Sequence, residues 1–243
     1  MRRRDFIALL GGTAAWPLTA RAQQSGMPVI GFFVDGPPSE GPHQAFLRGM
    51  AELGYVEGKN FATEYRLNLN PDSMPQAAAD LVRRNVNAIF AATPAAVAAV
   101  SKATTTIPVV AIDLDSDPVA KGYVQSIARP GSNITGMFLD IPELCGKQLE
   151  LLKEIVPRLT RIAVFGIAGL NAPQFAATET AVLIGELALA KRLPLISLFG
   201  EFPRNGGLIA YGPNVGEMFR RCGKYVGKVL HGARPSELYR EGS

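Results

Sequence analysis

The chain has 243 residues, of which 47% are apolar and 19% charged, with 25 Gly and 18 Pro. This composition excludes a disordered or collagen-like chain and allows one or two packed α/β domains. Two Cys exclude a disulfide scaffold, and two His argue against a histidine-built metal centre. The formal net charge of +4 would suggest nucleic acid only if the basic residues lay on the folded part.

The first 22 residues have the pattern of an export signal. Three Arg at positions 2–4 precede a short apolar stretch, Phe6–Ala15, and a small-x-small cleavage site at Ala20–Ala22. The run Arg3–Ile7 resembles a twin-arginine signal. Because a spanning helix needs roughly 20 apolar residues, we expect cleavage after Ala22 rather than a membrane anchor.

Removal of this segment changes the charge of the chain. The segment holds four Arg and one Asp, so the mature chain has 21 basic and 20 acidic residues (25 − 4 and 21 − 1), a net charge of +1. No Cys lies at the expected cleavage site, and no later segment has the length of a membrane span. We therefore expect an exported chain whose mature part neither binds nucleic acid nor inserts into a membrane.

From Pro28 onward, short apolar runs alternate with amphipathic stretches. The predicted strands are Val29–Val34, Asn60–Leu67, Asn87–Ala92, Ile107–Ile112 and Asn133–Leu139. The predicted helices are Gly41–Leu53, Pro75–Arg84, Pro94–Lys102 and Asp117–Ala128, the first of them ended by Gly54. This alternation is typical of a parallel sheet with helices on both faces, in which ligands bind beyond the carboxyl ends of the strands.

A second α/β unit is predicted to follow. It begins with an amphipathic helix, Pro142–Val156, whose inward residues are expected to be Leu144, Leu149, Leu152 and Ile155 (or Val156). The later predicted elements are a strand at Arg161–Gly166, a helix at Leu183–Arg192, strands at Leu195–Leu198 and Gly207–Tyr211, and a helix at Pro213–Leu230.

A series of short motifs runs through the chain in a fixed order. They are Gly54–Asn60 (GYVEGKN), Glu64–Arg66, Ala92–Ala95, Ile107–Val110, Asp115–Val119, Ala128–Gly136 (ARPGSNITG), Glu150–Lys153, Glu186–Ala188, Arg192–Pro194 and Tyr211–Asn214. In this order they resemble the ABC transporter substrate-binding family, whose members are exported binding proteins of the type I periplasmic fold.

The resemblance implies a two-lobed α/β protein that closes on a small polar molecule, such as an amino acid, and delivers it to the membrane permease of an ABC importer. It implies no catalytic residue, no metal and no cofactor. We expect lobe I at 23–138, with 212–243 returning to it, and lobe II at 139–211.

The chain also departs from the family pattern. In the family, a further strand, helix and strand precede the helix that resembles Glu186–Ala188, whereas here Thr180–Val182 runs directly into Leu183. The resemblance therefore implies an internal deletion of about 45 residues, about one and a half βα units. The family also continues beyond the position of Ser243. We expect lobe II to be short of strands, with exposed sheet edges and apolar helix faces.

Polar residues follow the third and fourth predicted strands, where a ligand of such a sheet would bind. The Thr93 hydroxyl and the amides after Pro94, beginning at Ala95, are candidates to hold a carboxylate; a plain helix N-cap is the alternative, and both roles can coexist. Ser116 is a candidate ligand contact. Asp117 is a candidate for a ligand ammonium, although capping of the next helix explains it equally well.

Three further candidates lie elsewhere. Asp35, after the first strand, can approach a ligand closely, with an ordinary solvent loop as the alternative. Tyr211 can stack on an apolar or aromatic ligand or belong to the core. Glu201 is the other candidate contact from the second unit.

The Cys and His residues are expected to have structural or solvated roles. Cys145 and Cys222 lie on helices of different lobes, so two buried thiols are favoured over a disulfide, although export permits one. His43 and His231 lie at separate helix ends and are expected to be solvated. The sequence offers no nucleophile–base motif. Two alternatives stay open: an exported α/β enzyme that uses the interlobe cleft, and a ligand-sensing module of a membrane receptor.

Overall fold

The computed structural model describes residues 26–34, 40–67, 69–126, 129–139, 141–161, 186–198, 201–204 and 207–238. The expected signal segment and the strand predicted after Arg161 lie outside these ranges. The main element is a five-stranded parallel sheet in the order β2-β1-β3-β4-β5. Its strands are β1 (Val29–Val34), β2 (Ala62–Arg66), β3 (Ala88–Ala92), β4 (Val109–Asp113) and β5 (Ile134–Phe138).

The sheet forms from the continuous apolar runs of the first half of the chain. β1 lies between β2 and β3 and pairs with both in parallel. Every residue of β3 and β4 is buried, as expected for strands covered on both faces. All five strands predicted for this sheet are confirmed, and no end differs from its prediction by more than two residues.

Four helices cover the two faces of the sheet: α1 (Glu40–Ala51), α2 (Met74–Arg83), α3 (Pro94–Ala103) and α6 (Val215–Leu230), the last followed by a 3-10 turn at Pro235–Glu237. Two others, α4 (Ile141–Ile155) and α5 (Glu201–Arg204), contact the later strands. Residues 186–190 are also helical. Buried side chains of α2 and α3 form one core with the sheet, and those of α1 and α6 form the other core on the opposite face. The predicted α/β architecture is thereby confirmed.

The helix predicted over Asp117–Ala128 is wrong for the residues that are described. Asp117 Oδ1 accepts the N–H groups of Val119 and Ala120, which starts a single turn. Gly122 then adopts a φ of +73°, which a helix cannot continue. Asp117 does cap a turn, as the sequence indicates, but the turn ends at Gly122 and no helix follows.

The inward face predicted for α4 is confirmed at Leu152 and wrong at Leu149 and Ile155. Leu152 is buried, as is Gln148 one helical turn before it, whereas Leu149 and Ile155 are exposed. The Gln148 side chain donates to the carbonyl of Tyr211 at 2.8 Å. The buried line of this helix therefore includes a polar contact that the apolar pattern does not reveal.

The elements after α4 form a small second sheet. β6 (Ile196–Ser197) and β7 (Ile209–Ala210) pair in parallel, and both are partly exposed. Several large apolar side chains near them are exposed, namely Leu187, Leu189, Leu193 and Leu208. The described part of this second unit therefore buries much less of its apolar surface than the five-stranded sheet does.

The contact between α1 and α6 brings the end of the chain back onto the first sheet. A Cβ atom on Gly49 would lie 1.9 Å from the backbone oxygen of Arg220, and one on Gly223 would lie 2.1 Å from the backbone oxygen of Phe46. The two helix backbones therefore touch. Glu52 of α1 pairs with Arg220 and with Lys224 of α6, each at 2.5 Å, beside this contact.

A side chain added at the helix contact should weaken the fold. We expect Gly223→Ala to lower the free energy of unfolding by about 1–3 kcal/mol, because neither helix backbone can give way without loss of packing. Gly146→Ala on α4 is the matched control, since a Cβ there meets nothing within 4 Å. The control should leave stability unchanged or raise it by up to about 1 kcal/mol. Urea unfolding measures both, and equal effects of the two variants would contradict this packing argument.

Ion pairs join the edge strand β2 to α2. Asp80 of α2 accepts from Arg66 of β2 and from Arg84 of its own helix, and Glu64 also pairs with both arginines. These guanidinium groups lower the pKa of Asp80 to about 2.

The Asp80 contribution to stability should depend on pH. Because its pKa is lower in the folded than in the unfolded protein, the contribution is complete above about pH 4 and is lost as the pH falls through 2. We expect Asp80→Asn to be less stable than wild type at pH 7, with a difference that shrinks between pH 4 and pH 2. Asp72→Asn, an exposed carboxylate outside this network, is the control. A difference that stays constant down to pH 2 would contradict the ion-pair interpretation.

Candidate functional site

The strand order indicates where a ligand of this sheet would bind, at the carboxyl ends of its strands. From β1 the chain crosses to β2 on one side and then to β3 on the other. In such sheets a ligand binds where the crossovers diverge, beyond the carboxyl ends of the strands. Thr93, Pro94 and Ala95 directly follow β3, and Ser116 and Asp117 come shortly after β4, so these candidates lie at the same edge.

Thr93 is held in a strained conformation at this edge. Its φ is +114°, in a region that β-branched residues rarely adopt, at a cost of about 1–3 kcal/mol. The residue is 2% exposed, its N–H donates to the Ile112 carbonyl at 2.9 Å, and its Oγ1 accepts the N–H of Ala96 at 3.3 Å. The predicted N-cap is confirmed, and the strain marks the position as one whose geometry is imposed by its surroundings.

The loop after β4 is shaped by a residue that the sequence analysis did not select. Asp113 is the last residue of β4 and is 0% exposed. Its Oδ1 accepts the N–H groups of Asp115 and Ser116, each at 3.0 Å, while Oδ2 has no partner among the described residues. The sequence signal was a carboxylate at the end of the apolar run Ile107–Ile112.

The β3 and β4 ends are neighbours in the sheet. Ala92 of β3 pairs with Ile112 of β4, so Thr93 and Asp113 follow side by side. Burial raises the pKa of the Asp113 carboxyl, although the backbone N–H groups that it accepts act in the opposite direction. Burial also raises the pKa of Tyr123, and the nearby Asp113 carboxyl raises it further.

The remaining candidates are less closely connected. Asp117 caps the turn that follows it, as one of the two alternatives predicted. Tyr211 is 39% exposed, and its carbonyl is held by Gln148 of α4. Glu201 is the first residue of α5. Asp35 lies outside the described residues.

Two expectations about the Cys and His residues are wrong. Both thiols are free and Cys222 is buried, but Cys145 is exposed, because α4 makes its buried contacts one turn later. His43 is half-buried: its Nε2 lies 3.0 Å from the hydroxyl oxygen of Tyr65, and burial lowers its pKa. Its ring also packs edge-on against Phe32, so it is not simply solvated. His231 is exposed as expected.

No group of three or more His, Cys, Asp or Glu suited to a metal ion lies among the residues that the structure describes. Within the same ranges, no helix combines the length and apolar character needed to span a bilayer.

The parallel sheet, with polar loops at the carboxyl ends of its strands, gives this chain an α/β fold of the kind that binds ligands at that edge. Residues 29–184 match the model of the family described as ABC transporter substrate binding protein, and the chain belongs to that family.

Solved structures share the fold. One is the ABC domain in complex with L-Trp from Streptococcus pneumonia, with a TM-score of 0.69, 16% identity and 88% coverage of both chains. Another is a conserved domain protein from Vibrio cholerae, with a TM-score of 0.68, 22% identity and the same coverage.

A curated relative is the tyrosine-binding protein of Clostridioides difficile (strain R20291), which is 31% identical over 139 residues. The match covers 56% of this chain and 39% of the relative, so the chain spans about two fifths of the length of that protein.

Loss of the Thr93 hydroxyl should weaken the start of α3. We expect Thr93→Val, which keeps the shape of the side chain, to lower the free energy of unfolding by about 1 kcal/mol, because the Ala96 N–H loses its acceptor. Thr93→Ser retains the acceptor and should differ from wild type by only a few tenths of a kcal/mol. Thermal or urea unfolding gives the comparison, and a Val variant as stable as the Ser variant would refute the capping role.

Proposed function

We propose that this chain is the solute-binding component of an ABC importer and holds a small polar molecule, an amino acid, at the carboxyl edge of its main sheet. The observation that carries the proposal is Thr93, a strained, buried residue that caps α3 where the ligand crevice of such a sheet lies. Family membership supports the transport role.

The start of α3 is suited to the carboxylate of the ligand. Ala96 donates its N–H to the Thr93 side chain and Val97 donates to the Thr93 carbonyl, while Pro94 has no N–H. Ala95 is exposed, and its N–H has no partner in the described part of the chain. This amide and the positive end of the helix dipole are therefore open to an anion.

The neighbouring loop is suited to the ammonium group. Asp115 and Asp117 are exposed at the end of β4, next to the strand that leads into α3. Opposite charges a few ångströms apart at a partly desolvated surface attract a zwitterion in one orientation. The ligands named for two relatives, L-Trp and tyrosine, have this zwitterionic head and an aromatic side chain.

The second unit supplies the other wall of the proposed cleft. We assign lobe I to 23–138 with 212–243, and lobe II to 139–211. The packing of α6 on α1 supports the return of the chain to lobe I, and the separate β6–β7 sheet supports a second lobe. Tyr211 and Glu201 would meet the ligand from lobe II on closure, and Asp35 from lobe I.

Export completes the proposal. Residues 1–22 act as a twin-arginine signal that is removed after Ala22, and the mature chain works in the periplasm with a membrane permease. The near-neutral mature charge and the family both fit this place of action.

A thermal-shift screen of the purified protein against the twenty amino acids tests the proposed ligand class. A ligand at 100 times its dissociation constant adds about 2.7 kcal/mol of stability, so at least one amino acid should raise the melting temperature clearly. We expect L-tyrosine or L-tryptophan to be among them. If no amino acid raises it, the proposed ligand class is wrong.

A pair of Ser variants tests the location of the site. Ser116→Ala should weaken the binding of the amino acid found in the screen about fivefold, because one hydrogen bond of about 1 kcal/mol is removed. Ser101→Ala, at the far end of α3, is the control and should bind as wild type does. Calorimetric titration distinguishes them, and equal affinities would place the ligand elsewhere.

A further inference from the structure

Asp113 has a buried carboxyl group whose two oxygens differ in their hydrogen bonding. The residue has no exposed surface, Oδ1 accepts two backbone N–H groups at 3.0 Å, and Oδ2 has no partner in the described part of the chain. Buried polar atoms nearly always have a partner, so the bare oxygen requires an explanation.

We propose that Asp113 is a positioning residue that holds the loop after β4 in its ligand-binding shape, and that it does so as an uncharged carboxyl group. The proposal rests on the function proposed above, because the loop that it holds carries Ser116 and Asp117.

The hydrogen bonds of Oδ1 do not require a charge. A carbonyl oxygen has two lone pairs. The backbone N–H of Asp115 donates to one of them, and the backbone N–H of Ser116 donates to the other. These two bonds fix the backbone directly before the turn that Asp117 caps. The side chain of Asp113 therefore determines the path of the loop without contact to the ligand.

The surroundings of Oδ2 oppose a charge. An ionised carboxylate with one buried oxygen unpaired is far more costly than the neutral acid, and such groups take up a proton instead. Asp115 carries a like charge and disfavours ionisation of Asp113, while the nearby Tyr123, whose own pKa Asp113 raises, brings no positive charge to the carboxyl. The Ser116 side chain and the two backbone N–H groups act the other way, but burial outweighs them and raises the pKa of Asp113.

Two substitutions of Asp113 separate shape from charge. Asp113→Asn keeps a carbonyl oxygen at the Oδ1 position and cannot ionise, whereas Asp113→Leu leaves the two N–H groups without an acceptor. With L-tyrosine and L-tryptophan as probes in calorimetric titration at pH 7, we expect the Asn variant to bind within about twofold of wild type. The Leu variant should bind at least tenfold more weakly, the effect of one unsatisfied buried donor.

A variant on the next strand controls for a general loss of stability. The Thr135 hydroxyl donates to the Leu238 carbonyl at 2.6 Å, away from the loop after β4. Thr135→Val should therefore lower stability but leave the dissociation constant unchanged. If it weakens binding as much as Asp113→Leu does, the role of Asp113 is merely structural and the proposal fails.

The pH dependence of stability tests whether the Asp113 carboxyl group is uncharged in the folded protein. A carboxyl group whose pKa is raised on folding contributes its full stability below its unfolded value, near 4, and loses it as the pH rises through the folded value. The ratio of the unfolding equilibrium constants of Asp113→Asn and wild type should therefore fall as the pH rises from 4 to 9, by at most tenfold per pH unit. Wild type that becomes more stable relative to the Asn variant over this range would show a required charge and overturn the proposal.

The two measurements separate the possible failures. If wild type binds neither amino acid, the proposed ligand class fails, and the stability data alone decide on Asp113: the Asn variant must be more stable than the Leu variant by at least tenfold in the unfolding equilibrium constant. If wild type binds and the Leu variant binds equally well, the positioning role is wrong while the proposed function stands. A Leu variant that does not fold leaves the Asn variant and its pH profile as the test.

Discussion

The parallel pairing of β3 with β4 is the constraint on which the rest of the site depends. With Ala92 opposite Ile112, the chain must leave both strands at the same level, and Thr93 and Asp113 follow side by side. Thr93 accepts an unfavourable φ because its N–H is fixed to the Ile112 carbonyl while its side chain caps α3. A shift of one residue in this register would remove the bond of the Thr93 N–H to the Ile112 carbonyl and would separate Thr93 from Asp113.

The sequence was a good guide to the sheet and a poorer one to the loops. The strands β1, β3 and β4 are continuous apolar runs, and burial on both faces is the only environment in which such runs are stable. Thr93 was found because a Thr-Pro pair after a strand is a strong helix-start signal. The similar Asp117-Pro118 pair led to a wrong helix prediction, because Gly122 adopts a positive φ that ends the helical conformation after one turn.

Asp113 and α4 show that burial and contacts between distant residues cannot be predicted from a pattern of residue types. A carboxylate at the end of a strand is usually a surface residue, and only the fold reveals that loops close over it. Gln148 lies on the inner face of α4, and its partner is a backbone carbonyl 63 residues later in the chain. His43 likewise forms a hydrogen bond with Tyr65 of another element, a contact that its position at a helix end does not reveal.

The first sheet depends on α6, which follows the second unit in the chain. One of the two cores of the sheet is completed by α6 side chains such as Phe219 and Val226, so the chain must pass through the second unit before that core can close. Glu52 and Arg220, which join α1 to α6, are 168 residues apart. Because the entropy cost of closing a loop grows only with the logarithm of its length, a change of about 45 residues in the intervening segment would alter that cost by only a few tenths of a kcal/mol. The glycine contact and the ion pairs of α1 with α6 are local to the two helices and do not depend on that length. The docking of α6, and with it the sheet end that carries Thr93 and Asp113, therefore depends little on how long the intervening segment is.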